Sequence, residues 1–429
     1  MSAREHDLIF HSANGSLAIQ DGRIAEAGHS LSGRAKKEIN LGDAMILPGW
    51  IDAHVHFNEP GRADWEGFAT GSRALAAGGG TTFFDMPLNS SPPVTTRTAF
   101  EEKRRIGEIS SCLDFALWGG LTADSLDHLG AMADAGAIGF KAFMCPSGLD
   151  EFPAARPSTL REGMKRAARL GLPVAVHAED PDLIARHQAA HPPATRDMRA
   201  WLDSRPIEAE LSAIRIALEI AGETACDLHI VHITCPQGID LVTQAKAAGV
   251  SVTAETCPHY LLLSDMDAIA IGPAAKCAPP LRSAATVSAL WQRLRAGEID
   301  SIGSDHSPSP PELKQGDDLF AMWGGIAGIQ HGLPLLLAQE SAILPQISSK
   351  VAARFRLAGK GQLAPGFDAD FIVVKRRASQ VTRASLLTRH AISPYIGMDS
   401  AVEISATYLR GCDTRSATQG KFLAPAAPL

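Results

Sequence analysis

The sequence predicts an α/β fold, a closed (β/α)8 barrel carrying a small β-sandwich-like domain built from both chain ends. Three observations lead there. Eight short apolar, β-branched or aromatic runs recur between residues 51 and 305. Helix-length segments separate them, the signature of βαβ units and a parallel sheet. The two ends of the chain read instead as strands and turns. Eight βα units in roughly 250 residues fit a closed barrel. A doubly wound open sheet needs no eight repeats, and no GxGxxG turn follows the first strand.

The eight runs are residues 51–57 (IDAHVHF), 81–87 (TTFFDMP), 115–121 (FALWGGL), 138–144 (IGFKAFM), 173–179 (PVAVHAE), 228–234 (LHIVHIT), 250–256 (VSVTAET) and 299–305 (IDSIGSD). Helical patterns fall between them, as at 160–170, 207–221 and 239–248. At the amino end, residues 7–47 are short strands broken at Asn14-Gly15, Asp21-Gly22 and Gly42-Asp43. Residues 362–374 (QLAPGFDADFIVV) and 401–410 (AVEISATYLR) also read as strands. The expected division is a discontinuous β-domain, 1–48 with 360–429, and a barrel over 49–359. A proline-rich loop, residues 307–312 (SPSPPE), follows the eighth strand.

Composition bounds the function. The chain has 429 residues, 45% hydrophobic and 20% charged, so it is an ordinary globular sequence. The formal net charge is -7 with no basic run, which argues against nucleic acid or an anionic membrane as partner. No window approaches the ~18 apolar residues of a membrane span. The polar start, Met1 to Asp7, lacks the apolar core of a secretory signal. Seven cysteines without a CxxC suit a reduced, cytoplasmic protein better than a disulfide scaffold.

Active-site groups of such a barrel sit at the carboxyl ends of its strands. The first strand ends with His54 and His56, which share one face because strand residues i and i+2 do. Lys141 interrupts the apolar fourth strand; His177, His232 and Asp305 end the fifth, sixth and eighth. A lone strand histidine is usually a hydrogen-bonded core residue, but an HxH pair points to a metal. A buried ammonium is costly, so Lys141 either reaches solvent or stays neutral and reacts with CO2. The resulting carbamate is an anionic two-oxygen ligand able to bridge two cations. Two close cations lower the pKa of a shared water, giving a bridging hydroxide near neutrality. Asp305 is placed to bind one metal and take the proton. Zinc suits the donors best; cobalt, manganese and iron are compatible.

The set resembles the cyclic amidohydrolases of the amidohydrolase superfamily, over essentially the whole chain, and within that group is most similar to the allantoinases. The stretches that carry the resemblance are 54–68 (HVHFNEPGRADWEGF), 85–92 (DMPLNSSP), 139–152 (GFKAFMCPSGLDEF), 204–208 (SRPIE), 256–260 (TCPHY), 276–282 (KCAPPLR) and 304–312 (SDHSPSPPE). The resemblance implies that His54 and His56 bind one metal, His177 and His232 the other, that carbamylated Lys141 bridges them, and that Asp305 is ligand and acid/base. It implies a small cyclic amide as substrate, opened at a carbon–nitrogen bond other than a peptide bond, and a homotetramer.

The metal ligands do not name the ring. Dihydroorotases carry HxHxR and an asparagine directly after the Met-Pro of strand 2, which hold a substrate carboxylate. Here Asn58 takes the arginine's position, and Leu88 stands before Asn89. A neutral ureido-hydantoin fits that change, with Asn58, Asn89 and backbone groups near Cys277 and Ser307 as candidate contacts. Arg62 and Arg282 are the cations that would have to replace the missing one. Hydantoinases and dihydropyrimidinases usually place a tyrosine shortly after the lysine; Ala142-Phe143-Met144 follows Lys141 here. The expected activity is therefore hydrolysis of allantoin to allantoate, with dihydroorotase and hydantoinase as alternatives. A non-catalytic scaffold would show a gap in the ligand set, and there is none.

Overall fold

The computed structural model describes residues 5–192, 195–416 and 418–427; the first four residues of the polar start lie outside them. The amino-terminal turn signals produce five strands: β1 (Glu5–Ser12), β2 (Gly15–Gln20), β3 (Arg23–Gly28), β4 (Arg34–Asn40) and β5 (Met45–Pro48). At the β2–β3 turn Asp21 and Gly22 both have positive φ, 52° and 75°, the conformation a two-residue hairpin needs.

The eight runs form the barrel strands. These are β6 (Trp50–Val55), β7 (Gly80–Asp85), β8 (Asp114–Leu117) continued by β9 (Gly119–Gly120), β10 (Phe140–Phe143), β11 (Val174–His177), β12 (Leu228–Ile230), β13 (Val252–Thr256) and β14 (Ser301–Ile302). Two parallel sheets, β6-β7-β8 and β9 to β14, make the wall. A parallel bridge between Val55 and His306 joins the last strand to the first. Most strands are buried on both faces, as a barrel covered by helices requires. The predicted helical segments lie within helices Pro157–Leu170, Ile207–Thr224 and, for all but its last residue, Pro236–Ala247.

Several ladders end before their predicted runs do. Strand pairing stops at Ile230 and Ile302, yet His232 and Asp305 still point into the mouth. Both have positive φ, 44° and 46°, as does Asn58 at 66°. Non-glycine residues rarely adopt this conformation, which bends the chain out of the ladder at the site.

The carboxyl end supplies β15 (Phe371–Gln380), β16 (Asp399–Leu409) and β17 (Cys412–Asp413). The sheets β3-β2-β1-β4 and β17-β16-β15-β5 face one another. Their shared core includes Phe10, Ile19, Ile46 and Phe371, with Phe10 edge-on to Phe371 at 5.0 Å. The predicted strand at 362–374 begins only at Phe371. The stretch before it turns, and its carboxylates are used otherwise: Lys360 Nζ lies 2.5, 2.9 and 2.6 Å from Asp114, Asp368 and Asp370. That cluster ties barrel to sandwich. The tail departs from the expected β-domain: residues 421–423 run along β8, with Phe115 N–H donating to Lys421 carbonyl at 2.9 Å.

Candidate metal centre and active site

His54 Nε2 and His56 Nε2 lie 3.2 and 3.3 Å from one carboxylate oxygen of Asp305. The protein holds the other nitrogen of each ring. His56 Nδ1 donates to Leu88 carbonyl at 2.9 Å, so its proton sits there and the Nε2 lone pair faces the site. His54 Nδ1 meets Glu255 Oε1 at 2.8 Å. A carboxylate or carbonyl behind each imidazole is the arrangement that orients histidine ligands.

His177 and His232 close the far side, their ring centroids 4.6 Å apart, with His232 5.5 Å from His54. His177 Nε2 is occupied by Glu179 at 2.7 Å, which leaves Nδ1 for the site. Its ring stacks on Phe143 at 4.6 Å and 13°. His232 Nδ1 is buried and has no hydrogen-bond partner.

Lys141 is fully buried in β10, and its Nζ has no hydrogen-bond partner; the ring of Phe143 lies 4.9 Å away. Burial pulls its amine down to about 8, against the attraction of Asp305 and Glu255. Burial likewise holds His54, His177 and His232 below the usual histidine range. Asp305 goes the other way: burial opposes its ionisation, but His54, His56 and His232 keep it well below the usual carboxylate range.

These residues fit a cation cluster. One ligand atom each from His54, His56 and Asp305 lies within 4.8 Å of the others. A buried amine without an acceptor and imidazole lone pairs aimed at one place are costly unless something binds them. Two other clusters of candidate ligands fit less well. Asp114, Asp368 and Asp370 already hold Lys360. Beside His177 and Glu179 stands Cys145, whose thiol burial pushes up to about 12.

The cluster floors a cleft of about 330 Å³. A larger cleft of about 780 Å³, lined by Ile109, Leu387 and Thr407, holds none of these groups. Asn89, Cys277 and Ser307 line the smaller one. Asn58 does not. It is buried behind Asn89, whose amide donates to Asn58 Oδ1 at 3.1 Å, and its own amide donates to Pro308 carbonyl at 3.3 Å. Asn58 is thus hydrogen-bonded to Asn89 rather than open to the cleft. The Cys277 carbonyl accepts from the Trp201 indole at 2.9 Å. Both alternative cations are committed. Arg62 donates to Asn89 carbonyl at 2.6 Å and pairs with Glu151 at 3.2 Å. Arg282 donates to Thr234 and to Arg205 carbonyl at 2.9 and 2.6 Å and pairs with Glu210 at 3.2 Å.

Sequence reasoning passed over two pocket cations, Arg205 and Lys276. Lys276 Nζ donates to the carbonyls of Phe320 (3.2 Å) and Met322, and sits 4.2 Å over the Trp201 ring. Burial, reinforced by Arg205, pulls it down to about 7. It anchors the segment 320–325 that walls the cleft. Gly325, at φ 120°, lets that segment cross Ser307, where a Cβ would meet Ser307 carbonyl at 2.2 Å. Glu179 and Glu255 were missed too. Their signal was the one that flagged Lys141, a charged residue in an apolar strand run.

The geometry agrees with kinship. The family model described as the amidohydrolase family matches residues 45–412. The chain belongs to the amidohydrolase family. This amidohydrolase is 48% identical to an allantoinase of Solibacter usitatus over 405 residues, covering 92% of this chain and 88% of that one. It is 47% identical to an allantoinase of Deinococcus radiodurans over 404 residues, 92% and 90% of the two chains. Among solved structures, the L-hydantoinase (dihydropyrimidinase) of Arthrobacter aurescens superposes with a TM-score of 0.91 at 32% identity, covering 98% of both. That likeness extends to the barrel and the β-rich domain together. No helix among the described residues is long and apolar enough to cross a membrane.

Proposed function

We propose that this amidohydrolase opens the hydantoin ring of allantoin to give allantoate. It is a hydrolase of carbon–nitrogen bonds in cyclic amides, and the identity with two allantoinases supports the particular ring. The observation that carries the chemistry is the partnerless Lys141 amine beside His54, His177, His232 and Asp305, which line the cleft with His56. His54, His56 and Asp305 would hold one divalent ion, His177 and His232 a second, with Lys141, carbamylated by CO2, between them. Zinc matches these donors best. Bound there, the ions supply Lewis acidity to the ring carbonyl and acidify the attacking water.

Asp305 accepts the water's proton and passes it to the departing ring nitrogen, which must be protonated to leave as a neutral urea group. The imidazoles around it keep Asp305 ionised, so it has no proton of its own and can accept one. Asn89, steadied by Asn58 and Arg62, offers an amide to the ring. Ala142-Phe143-Met144 follows Lys141, with none of the tyrosine that hydantoinases usually place shortly after the lysine. A dihydroorotate carboxylate would find Arg62 and Arg282 engaged and the charge of Arg205, the cleft's guanidinium, already countered by Glu179, and a buried carboxylate without a net counter-charge costs several kcal/mol. The complete ligand set argues against an inactive scaffold. A reduced cytoplasmic setting suits the seven free cysteines, and a homotetramer is the assembly proposed.

Turnover of allantoin, dihydroorotate and hydantoin side by side, with metal-reconstituted protein, tests the reading. Allantoin should show the highest kcat/KM, the quantity that measures transition-state discrimination. Equal or faster turnover of dihydroorotate would replace this reading with a dihydroorotase, and preference for bare hydantoin with a hydantoinase.

A further inference from the structure

Arg205 follows the short helix Met198–Ser204 and lines the cleft beside His177, His232 and Lys276. It is 7% exposed. A guanidinium carries five N–H donors and no acceptor. None of these donates a hydrogen bond to another described residue, and Nε is buried without a partner. What the group has is charge compensation: Nη1 lies 3.5 Å from Glu179 Oε2, and the guanidinium carbon 4.9 Å from the Trp201 ring centroid. Its neighbour Lys276, by contrast, spends its protons on loop carbonyls.

Donors at the cleft wall that the protein leaves unused are available to an acceptor that enters the cleft. The chemistry of that acceptor follows from Glu179. A guanidinium already neutralised by a carboxylate offers directional hydrogen bonds rather than net charge, which suits a neutral carbonyl oxygen better than a second anion.

We propose that Arg205 is a specificity-determining residue that donates to the urea-type carbonyl of the substrate's exocyclic tail. The inference rests on the allantoin reading and names the contact that separates allantoin from the bare hydantoin ring, which has no such tail. Glu179 gives the contact a second consequence. The same oxygen of Glu179 that faces Arg205 is 2.7 Å from His177 Nε2. The residue that reads the tail is therefore two contacts from an imidazole of the centre, and filling the Arg205 site steadies Glu179 behind His177.

The test uses metal-loaded wild type, Arg205→Gln, Arg205→Lys and Arg205→Ala, with allantoin and hydantoin as substrates. Hydantoin is titrated calorimetrically wherever its turnover is too slow to measure. Metal content and circular dichroism establish that each variant is loaded and folded. In Arg205→Gln, kcat/KM for allantoin should fall roughly 10- to 100-fold further than the hydantoin value, the range of a lost charge-assisted hydrogen bond. Arg205→Lys should recover only part, since an ammonium lacks the fork. Guanidinium ion added to Arg205→Ala should raise allantoin turnover selectively. Equal losses on the two ligands, or loss explained by missing metal, would overturn the proposal and leave Arg205 a structural partner of Glu179. Failure of wild type to open allantoin is a different result, and overturns the allantoin reading itself.

Discussion

Glu255 Oε1 stands 2.8 Å from His54 Nδ1, across the barrel from β13 to β6. Its other oxygen is 3.3 Å from His229 Nε2, and His229 Nδ1 is 2.7 Å from the Thr253 hydroxyl. His54, Glu255 and His229 form a buried line that ends at the half-buried Thr253. The imidazoles beside Glu255 hold its carboxyl down at about 2 although burial opposes ionisation, so it stays a carboxylate. An anion behind a histidine fixes the ring and makes it a better ligand.

Glu255→Gln should therefore keep the fold and weaken the centre. Metal affinity is expected to fall by roughly 10- to 100-fold, measured by competition with a chromogenic chelator. Unchanged affinity would mean that His54 needs no carboxylate behind it.

Lys141→Ala should abolish turnover and lower metal content. Short carboxylic acids added in excess should restore part of the rate by supplying the missing oxygens. Lys141→Met separates cost from function. The metal-free variant should melt above metal-free wild type, because it removes a buried amine that no acceptor satisfies. Full activity in either variant without additives would remove Lys141 from the centre.

Asn58 and Asn89 should act as one unit, because the Asn89 amide is fixed by Asn58. Asn58→Ala and Asn89→Ala are each expected to lower kcat/KM for allantoin, and the double variant to lose little more than either. A double-mutant cycle reads this directly. Fully additive losses would show that the two contribute separately.

His259 gives the fold an acid-sensitive point. It is buried, neither ring nitrogen has a hydrogen-bond partner, and burial pulls it down to about 4. Between its unfolded pKa of about 6.5 and that lowered value, the unfolded chain binds a proton that the folded chain refuses. Stability from this residue is therefore present above that window and is lost as pH falls through it. His259→Phe should flatten the urea-unfolding free energy between pH 6.5 and 4 relative to wild type. An unchanged slope would mean the imidazole is already protonated or paired when folded.

What was legible in the sequence was what depends on near neighbours along the chain. Alternation put His54 and His56 on one face, and an amine in the run GFKAF marked Lys141 for burial, because strand geometry is periodic wherever the strand goes. The order of strands and helices likewise announced a barrel, since consecutive βαβ units leave few ways to close. What depends on distant neighbours was decided only by the tertiary structure. Glu255 reaches His54 across 201 positions, and no spacing rule carries a signal that far. Asn58 has the composition of a pocket residue but the place of a support, because a positive φ turns it behind Asn89. The run 362–374 has a strand's pattern, yet its first half turns to bring Asp368 and Asp370 to Lys360. Arg205 stands out by no spacing or periodicity within 204–208 (SRPIE). Only the closed barrel places it at the cleft wall with Nε buried and no acceptor supplied, since a polar group is satisfied or stranded by whatever folds around it.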